Sequence, residues 1–594
     1  MKNNCFISKN IKGLRTQLLS FCALITLLAS SCEDLTEINK SPDQLSASEI
    51  NIKYVLTSVL SGTGYNYLYN YTYPGGTTIS EAVQYLQRDY IDFQGPNTFI
   101  WTPVSFSGPY SMIKNSQYIF ENARLETLEG NQKFYTAAGQ IMRSFWYGYL
   151  TSLYGDIPYS EAMLAETGNF MPVYDNQKDI FKGVLADLKS ANDILSQVTS
   201  VNGAASSDIM FQGDVLKWRK FANSLRLRYL LRLSEKQSDM SAAGVDVKAE
   251  FNEIISNSST YPVFTSNIDN AAISYIGSAA ANSWYGGPLW FTNRSEFYRR
   301  KPCATFVDEL RKGMDPRLTT FIRPVDTQLK ISEQTPAYVK LADGQIIRNV
   351  SASTPGVSDI NTYRYVGLPP ALQDPNLYNL YSGVDFNAIK ALNPKIYTDL
   401  AANPGVSYLA DIYATNANPL VKAVLMSYSE LNFILAEARL KNWISSSTAV
   451  DYYQAAVAAS MDQYNITDGS MKVYDPATDA LTGWNKTTFL ASLANTFTGS
   501  GDTERLTQLM TQKWLACFMT PEFWFDWRRT GLPDLGANLI LGSNGNKIPV
   551  RIIYPTEEKN LNSDNVTSAV GRLEPGEDTQ WGKMWLLQGT NKPW

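Results

Sequence analysis

Apolar residues recur at helical spacing in several separated stretches of this chain, with polar and glycine- or proline-rich sequence between them. Along 214–234, Trp218, Phe221, Ala222, Leu225 and Tyr229 stand at i, i+3, i+4, i+7 and i+11, the spacing of one helix face. Residues 107–124 place Tyr110, Ile113, Gln117, Ile119 and Phe120 near that spacing, 132–153 repeats it more strongly, and a further helix is predicted over 176–197. YGDIPYSEA at 154–162 interrupts the run, because Gly155 and Pro158 do not continue a helix. The pattern returns at 424–441, where Tyr428, Leu431, Leu435 and Ala438 share a face. It continues at 449–464, where Ala455, Ala456 and Ala459 would let a neighbouring helix come close, and at 505–519.

Between these blocks, about 258–420 is poor in helical pattern and rich in Ser, Thr, Asn, Pro and Gly, with short strand-like pieces such as AYVKLA at 337–342. That is too long for one structureless loop, so it is read as an irregular lobe laid against the helices. The length of 594 residues would suit several domains of roughly 150 residues each. No long linker or charge block divides the chain, and one large body is expected. The predicted fold is mostly α: tetratricopeptide-like helix pairs form a superhelical scaffold, with a large irregular loop-rich lobe and a few short strands. The body covers 46–594, helical over 46–257 and 421–520, irregular over about 258–420, with a C-terminal segment at 521–594.

The first residues follow another logic. Lys2, Lys9, Lys12 and Arg15 precede the apolar run Leu18–Ala29. Twelve residues are too few to span a hydrocarbon core of ~30 Å, but they suit the centre of a secretory signal. Ala29, Ser30 and Ser31 lead into Cys32, and the chain turns acidic at Glu33 and Asp34. A cysteine after small residues resembles a bacterial lipobox, with Ala29 in the slot usually held by leucine. The expectation is a signal peptide over 1–31, acylation of Cys32, and a lipidated tether over 32–45. Two or three acyl chains on one cysteine exceed the single chain that anchors only marginally. The alternative is a secreted protein in which Cys32 is incidental. The acidic pair after the cysteine resembles the export signal that sends some lipoproteins to the outer face of the outer membrane.

Charge and composition narrow the function. The formal net charge is −5, and it becomes more negative once a basic leader is removed, which argues against a nucleic-acid partner. The chain has no histidine. Ser-His-Asp and Cys-His catalytic sets are excluded, as are zinc sites with His ligands. No cofactor or metal is called for. A carboxylate-only glycosidase survives, for which Asp89 and Asp92 are the acids to cite. Cys303 and Cys517, the cysteines of the body, either pair or remain two buried thiols. The basic residues of 214–234 (Lys217, Arg219, Lys220, Arg226, Arg228, Arg232) read as a phosphate site or as a solvated or ion-paired face. Arg528 and Arg529 read as an anion site, or as caps and partners of acids.

Seven stretches, in this order, carry a resemblance: CEDLTEINKSPDQLS (32–46), YGDIPYSEA (154–162), FQGDVLKWRKFANSLRLRYLLRLS (211–234), GMDPRL (313–318), SYSELNFILAEARLK (427–441), FWFDWRRTGLPDL (523–535) and YPTEEKNLNSDNV (554–566). Together they resemble the SusD/RagB family of nutrient-binding surface lipoproteins of Bacteroidetes, in its SusD-like group two branch. The resemblance implies helix pairs with a loop-rich part. It also implies a role without catalysis, in which a glycan or peptide is captured for a SusC-like TonB-dependent outer-membrane transporter.

Ligand contacts are expected from exposed aromatics on loops, since aromatic faces bury the apolar faces of sugar rings while polar neighbours bond the hydroxyls. Two regions concentrate them: 65–76 (YNYLYNYTYPGG) continuing to 94–103, and 282–294 (NSWYGGPLWFTNR). The candidates are Trp284, Tyr285, Trp290, Asn293, Arg294, Tyr73 and Trp101. The competing reading is that these rings pack the irregular lobe onto the helices. A surface glycosidase and a surface adhesin or scaffold remain as alternatives to a binding lipoprotein.

Overall fold

The computed structural model describes residues 50–69, 79–89, 97–292, 294–372, 374–395, 402–469, 471–536, 539, 547–590 and 592. The chain divides into Met1–Tyr54 and Val55–Trp594. Of the first unit only 50–54 are described, where the Asn51 side chain accepts the Lys53 N–H at the start of a helix.

The second unit is mostly helical, with short strands and no closed sheet among the described residues. Helix α1 is Ile52–Tyr69. From Leu56 on it buries Leu56, Val59, Leu60, Thr63, Gly64, Tyr67 and Leu68, a single stripe at helical spacing. Helices α2 (Ser107–Asn122), α3 (Glu129–Tyr154), α4 (Gln177–Leu195) and α5 (Val215–Arg232) pack each on the next. Gly139 lets α2 and α3 touch: a Cβ there would lie 2.7 Å from the Ser116 carbonyl oxygen. Asp214 caps α5 by accepting the Lys217 N–H at 3.0 Å.

Helix pairing resumes with α6 (Tyr428–Leu440), α7 (Ala449–Gln463), α8 (Lys486–Gly499), α9 (Asp502–Ala516) and α10 (Glu522–Thr530). Ser427 caps α6, and Thr448 with Asp451 forms a capping box on α7. Ala456 and Ala459 are buried where α7 meets α6, and the Ser429 hydroxyl donates to the Ala456 carbonyl. Two further helices, α11 (Thr556–Leu561) and α12 (Ser563–Gly571), follow.

The intervening part is an assembly of short pieces. Ala271–Ser274 pairs antiparallel with Lys422–Met426, and Leu86–Arg88 with Arg300–Pro302. Thr327–Ile331 runs parallel to Ile346–Val350, which pairs on its other side with Tyr338–Lys340. That last strand is the piece anticipated at 337–342.

Buried ion pairs fasten the helices. Arg228 on α5 meets both carboxylate oxygens of Glu430 on α6, at 2.7 and 2.6 Å. Arg232 holds Glu522 on α10 at 2.6 Å, and the Tyr67 hydroxyl donates to the same carboxylate at 2.8 Å. The face read as basic from the sequence is thus an ion-paired interior face, neither solvated nor free for phosphate, at Arg226, Arg228 and Arg232. Arg529 pairs with Glu437 and Asp526, and Arg528 donates to the carbonyls of Val550 and Ser152. Cys303 and Cys517 are both buried and free. Burial pushes the Cys303 thiol up to about 12 and moves Cys517 in the same direction.

Candidate functional site

Tyr65 and Tyr69 stand one turn apart at the end of α1, so their side chains lie over the same strip of surface. Their rings stack with centroids 4.9 Å apart. The segment 283–290 is drawn against them by close contact with 413–416. The Trp284 N–H donates to the Asn416 carbonyl at 2.7 Å, and the Leu289 N–H to the Asn416 side chain at 3.0 Å. Glycine is required here: a Cβ on Gly286 would come 2.2 Å from the Tyr413 carbonyl oxygen, and one on Gly287 2.6 Å from Asn416 Cα. This approach turns the chain so that Trp284 and Tyr285 go inward and Trp290 comes back to the surface.

The result is a cluster of four rings. Trp290 lies 5.5 Å from Tyr65, 5.2 Å from Tyr69 and 5.4 Å from Tyr285. Tyr285 is the buried floor, its hydroxyl donating to the Tyr65 carbonyl. Tyr65, Tyr69 and Trp290 are each partly exposed. The Trp290 indole is oriented by donating to the Ala280 carbonyl at 2.9 Å. Burial, reinforced by Tyr69, pushes the Tyr65 phenol up to about 12, so it stays neutral at physiological pH. Such a surface offers apolar ring faces with hydroxyls at their edges, suited to stacking a sugar or another flat apolar face.

The candidates from the sequence divide accordingly. Trp290 is in the cluster and partly exposed. Trp284 and Tyr285, expected on an exposed loop, are buried at 2% and 0% exposure. The reason is the glycine pair, which brings two backbones together instead of looping out. Trp284 packs near Tyr275 and Tyr413 and donates to the Tyr413 carbonyl. Trp101 is also buried, 5.8 Å from the Trp524 ring. Arg294 spends its guanidinium on the carbonyls of Gly286 and Ala414, which fixes the turn. Tyr73 and Asn293 lie outside the described residues. The residues missed are Tyr65 and Tyr69, which belong to a helix where a loop was expected.

The acid cited for a glycosidase does not face solvent. Asp89 is buried, accepts the Asn403 N–H at 2.8 Å, and sits 3.8 Å from the Lys301 ammonium. Burial pushes its carboxyl up to about 6 against the pull of Lys301, and pushes Lys301 down to about 7 against the pull of Asp89. Asp92 lies outside the described residues. Among the described residues, no group of three or more Cys, Asp or Glu could hold a metal ion, and no helix is long and apolar enough to cross a membrane.

A family model described as starch-binding and associating with the outer membrane matches residues 47–555. Solved structures share the fold. A SusD homologue of Bacteroides fragilis aligns with TM-score 0.65 at 22% identity, covering 91% of this chain and all of its own. A second from the same organism gives TM-score 0.62 at 25% identity with the same coverage. A chitin-binding protein gives 0.63 at 22%, over 91% of this chain and 99% of its own. Among curated proteins none matches.

Proposed function

This chain belongs to the SusD-like family of starch-binding, outer-membrane-associated proteins, and from that premise we propose that it captures a glycan or oligosaccharide at the cell surface. It hands the captured chain to a SusC-like TonB-dependent transporter, and acylated Cys32 tethers it to the outer membrane. The observation that carries this reading is the three-ring platform of Tyr65, Tyr69 and Trp290, built where two sequence-distant segments meet. Pyranose rings would stack there, and the neutral Tyr65 phenol would exchange hydrogen bonds with their hydroxyls. The name of the chitin-binding relative supports carbohydrate over peptide as the ligand.

The protein binds and does not cut. The family description is one of binding, and the acid considered for catalysis is enclosed with Lys301. Calorimetry against starch- and chitin-derived oligosaccharides, with product analysis, tests both halves. Saturable binding with intact ligand is expected. Glycan cleavage, or binding that survives loss of both Tyr65 and Trp290 rings, would overturn the reading.

A further inference from the structure

A cavity of about 650 Å³ opens between α2, the loop that follows Pro158, and the start of α11. It shares no lining residue with the ring platform. Its apolar surface comes from Phe106, Tyr110, Tyr118 and Phe170. Its charged lining is one-sided: Glu121, Glu166, Glu557 and Glu558 against Lys114 alone.

The wall formed by the loop is firmly held. Glu161 Oε2 accepts from the Asn169 amide at 2.9 Å and from the Val173 N–H at 3.1 Å. From the other side, Asn562 and Asn565 donate to the carbonyls of Pro172 and Met171 at 2.8 and 3.1 Å. The Tyr110 hydroxyl ties α2 to the Pro158 carbonyl at 2.6 Å. Yet this pinned loop presents Phe170 at 76% and Met171 at 63% exposure. Large apolar side chains fixed in water next to a groove mark a contact surface. Glu558 lies partly buried in the groove and accepts the Tyr174 hydroxyl at 2.7 Å. Burial, with Glu557 adding repulsion, raises its carboxyl, so a cation brought alongside would be favoured.

We propose that this groove is a second binding site, for a basic polypeptide segment in which Lys or Arg side chains alternate with apolar ones. The cationic groups would sit between the carboxylates and the aromatic faces, where ion pairing and cation–π attraction act together. The apolar side chains would cover Phe170 and Met171. Acidic polymers are repelled by the four carboxylates, and a neutral glycan would leave their charge unanswered. The proposal does not depend on the carbohydrate reading of the ring platform.

The test is fluorescence anisotropy with the full mature chain and three labelled probes: a short alternating Lys/Leu peptide, its Glu/Leu counterpart, and a neutral oligosaccharide. Variants are Glu166→Gln with Glu557→Gln, Phe170→Ser, and Trp290→Ala, each checked for an unchanged melting temperature; Glu166, Glu557 and Phe170 are exposed. The basic peptide should bind, and more weakly in raised salt. The double Glu variant and Phe170→Ser should each weaken it by about tenfold, a change of ~1.4 kcal/mol, while Trp290→Ala leaves it unaltered. No preference for the basic over the acidic peptide would overturn the proposal. So would binding indifferent to the groove variants, or binding lost with Trp290→Ala.

Discussion

The indole Nε1 of Trp284 donates to the backbone carbonyl of Tyr413 at 2.9 Å. That bond places Trp284 in the interior, while Trp290, in the same segment, keeps part of its ring in solvent. Substituting the two should therefore give opposite signatures. Trp284→Ala should cost ~3–5 kcal/mol of stability, the usual range for a buried aromatic. Trp290→Ala should barely move the melting temperature and should weaken oligosaccharide binding by ~1–3 kcal/mol, as loss of a stacking ring does for other flat ligands. Denaturant unfolding and calorimetry on both variants check this. Equal destabilisation by the two would contradict the division between core and platform.

The buried pair of Arg228 with Glu430 should be far more sensitive than a surface pair. Arg228→Met leaves the Glu430 carboxylate enclosed without its cation, at a cost of ~3–5 kcal/mol. By contrast the Lys189 and Asp193 side chains on α4 are both about half-exposed, at 44% and 45%, and Lys189→Ala should cost no more than ~1 kcal/mol. Urea unfolding of the two variants decides; a comparable loss in both would sink the assignment.

Lys301 predicts a pH dependence. Its folded value is about 7, against 10.5 for an unburied lysine. Between those values the unfolded chain holds a proton that the folded chain has released, so stability from this residue rises with pH through that window and is level below it. Asp89 works in a lower window: raised from 3.8 to about 6, it contributes a loss as pH rises between those values. The wild type should gain on Lys301→Met as pH goes from neutral towards 9, by up to ~1.4 kcal/mol per unit. Loss of the ammonium raises Asp89 further, which increases the gain. Unfolding at two pH values measures it, and a difference that stays constant or shrinks would be the contrary result.

Cys32→Ala should move the protein from the membrane fraction to the soluble one, because the proposed acyl chains are lost with the thiol and among the described residues no helix is long and apolar enough to cross a membrane. Fractionation with carbonate washing tests it; a variant still retained after washing would remove the lipid anchor from the account.

The helices with an uninterrupted apolar face were legible in the sequence: 214–234 became Val215–Arg232, and 449–464 became Ala449–Gln463. Helix α1 was not: its end, with Tyr65 and Tyr69, falls in the tyrosine-rich stretch 65–76 read as a loop, and the helix carries Gly62 and Gly64. In the structure they are contact points, where a Cβ would meet Met112 Sδ at 2.5 Å and Ile273 Cγ2 at 3.2 Å. The same non-locality governed the site. The two aromatic regions were identified, and Tyr65, Tyr69 and Trp290 do meet. Which rings turn inward depends on Asn416 and Tyr413, over a hundred positions beyond Trp284, and no local pattern carries that information. The partners of Arg228 and Arg232 are equally remote, at Glu430 and Glu522.

The bond from Tyr67 to Glu522 has a consequence for how the chain can assemble. Stacked helical repeats touch only their neighbours, so they can begin folding at any unit and can lose a terminal unit without collapse. Here one carboxylate, 455 positions after Tyr67, also receives Arg232. The first helix of the body therefore cannot complete its interior until α10 has arrived. A growing chain has to carry α1 and α5 with part of their polar interior unanswered until that point, and amide exchange in the three helices should open together.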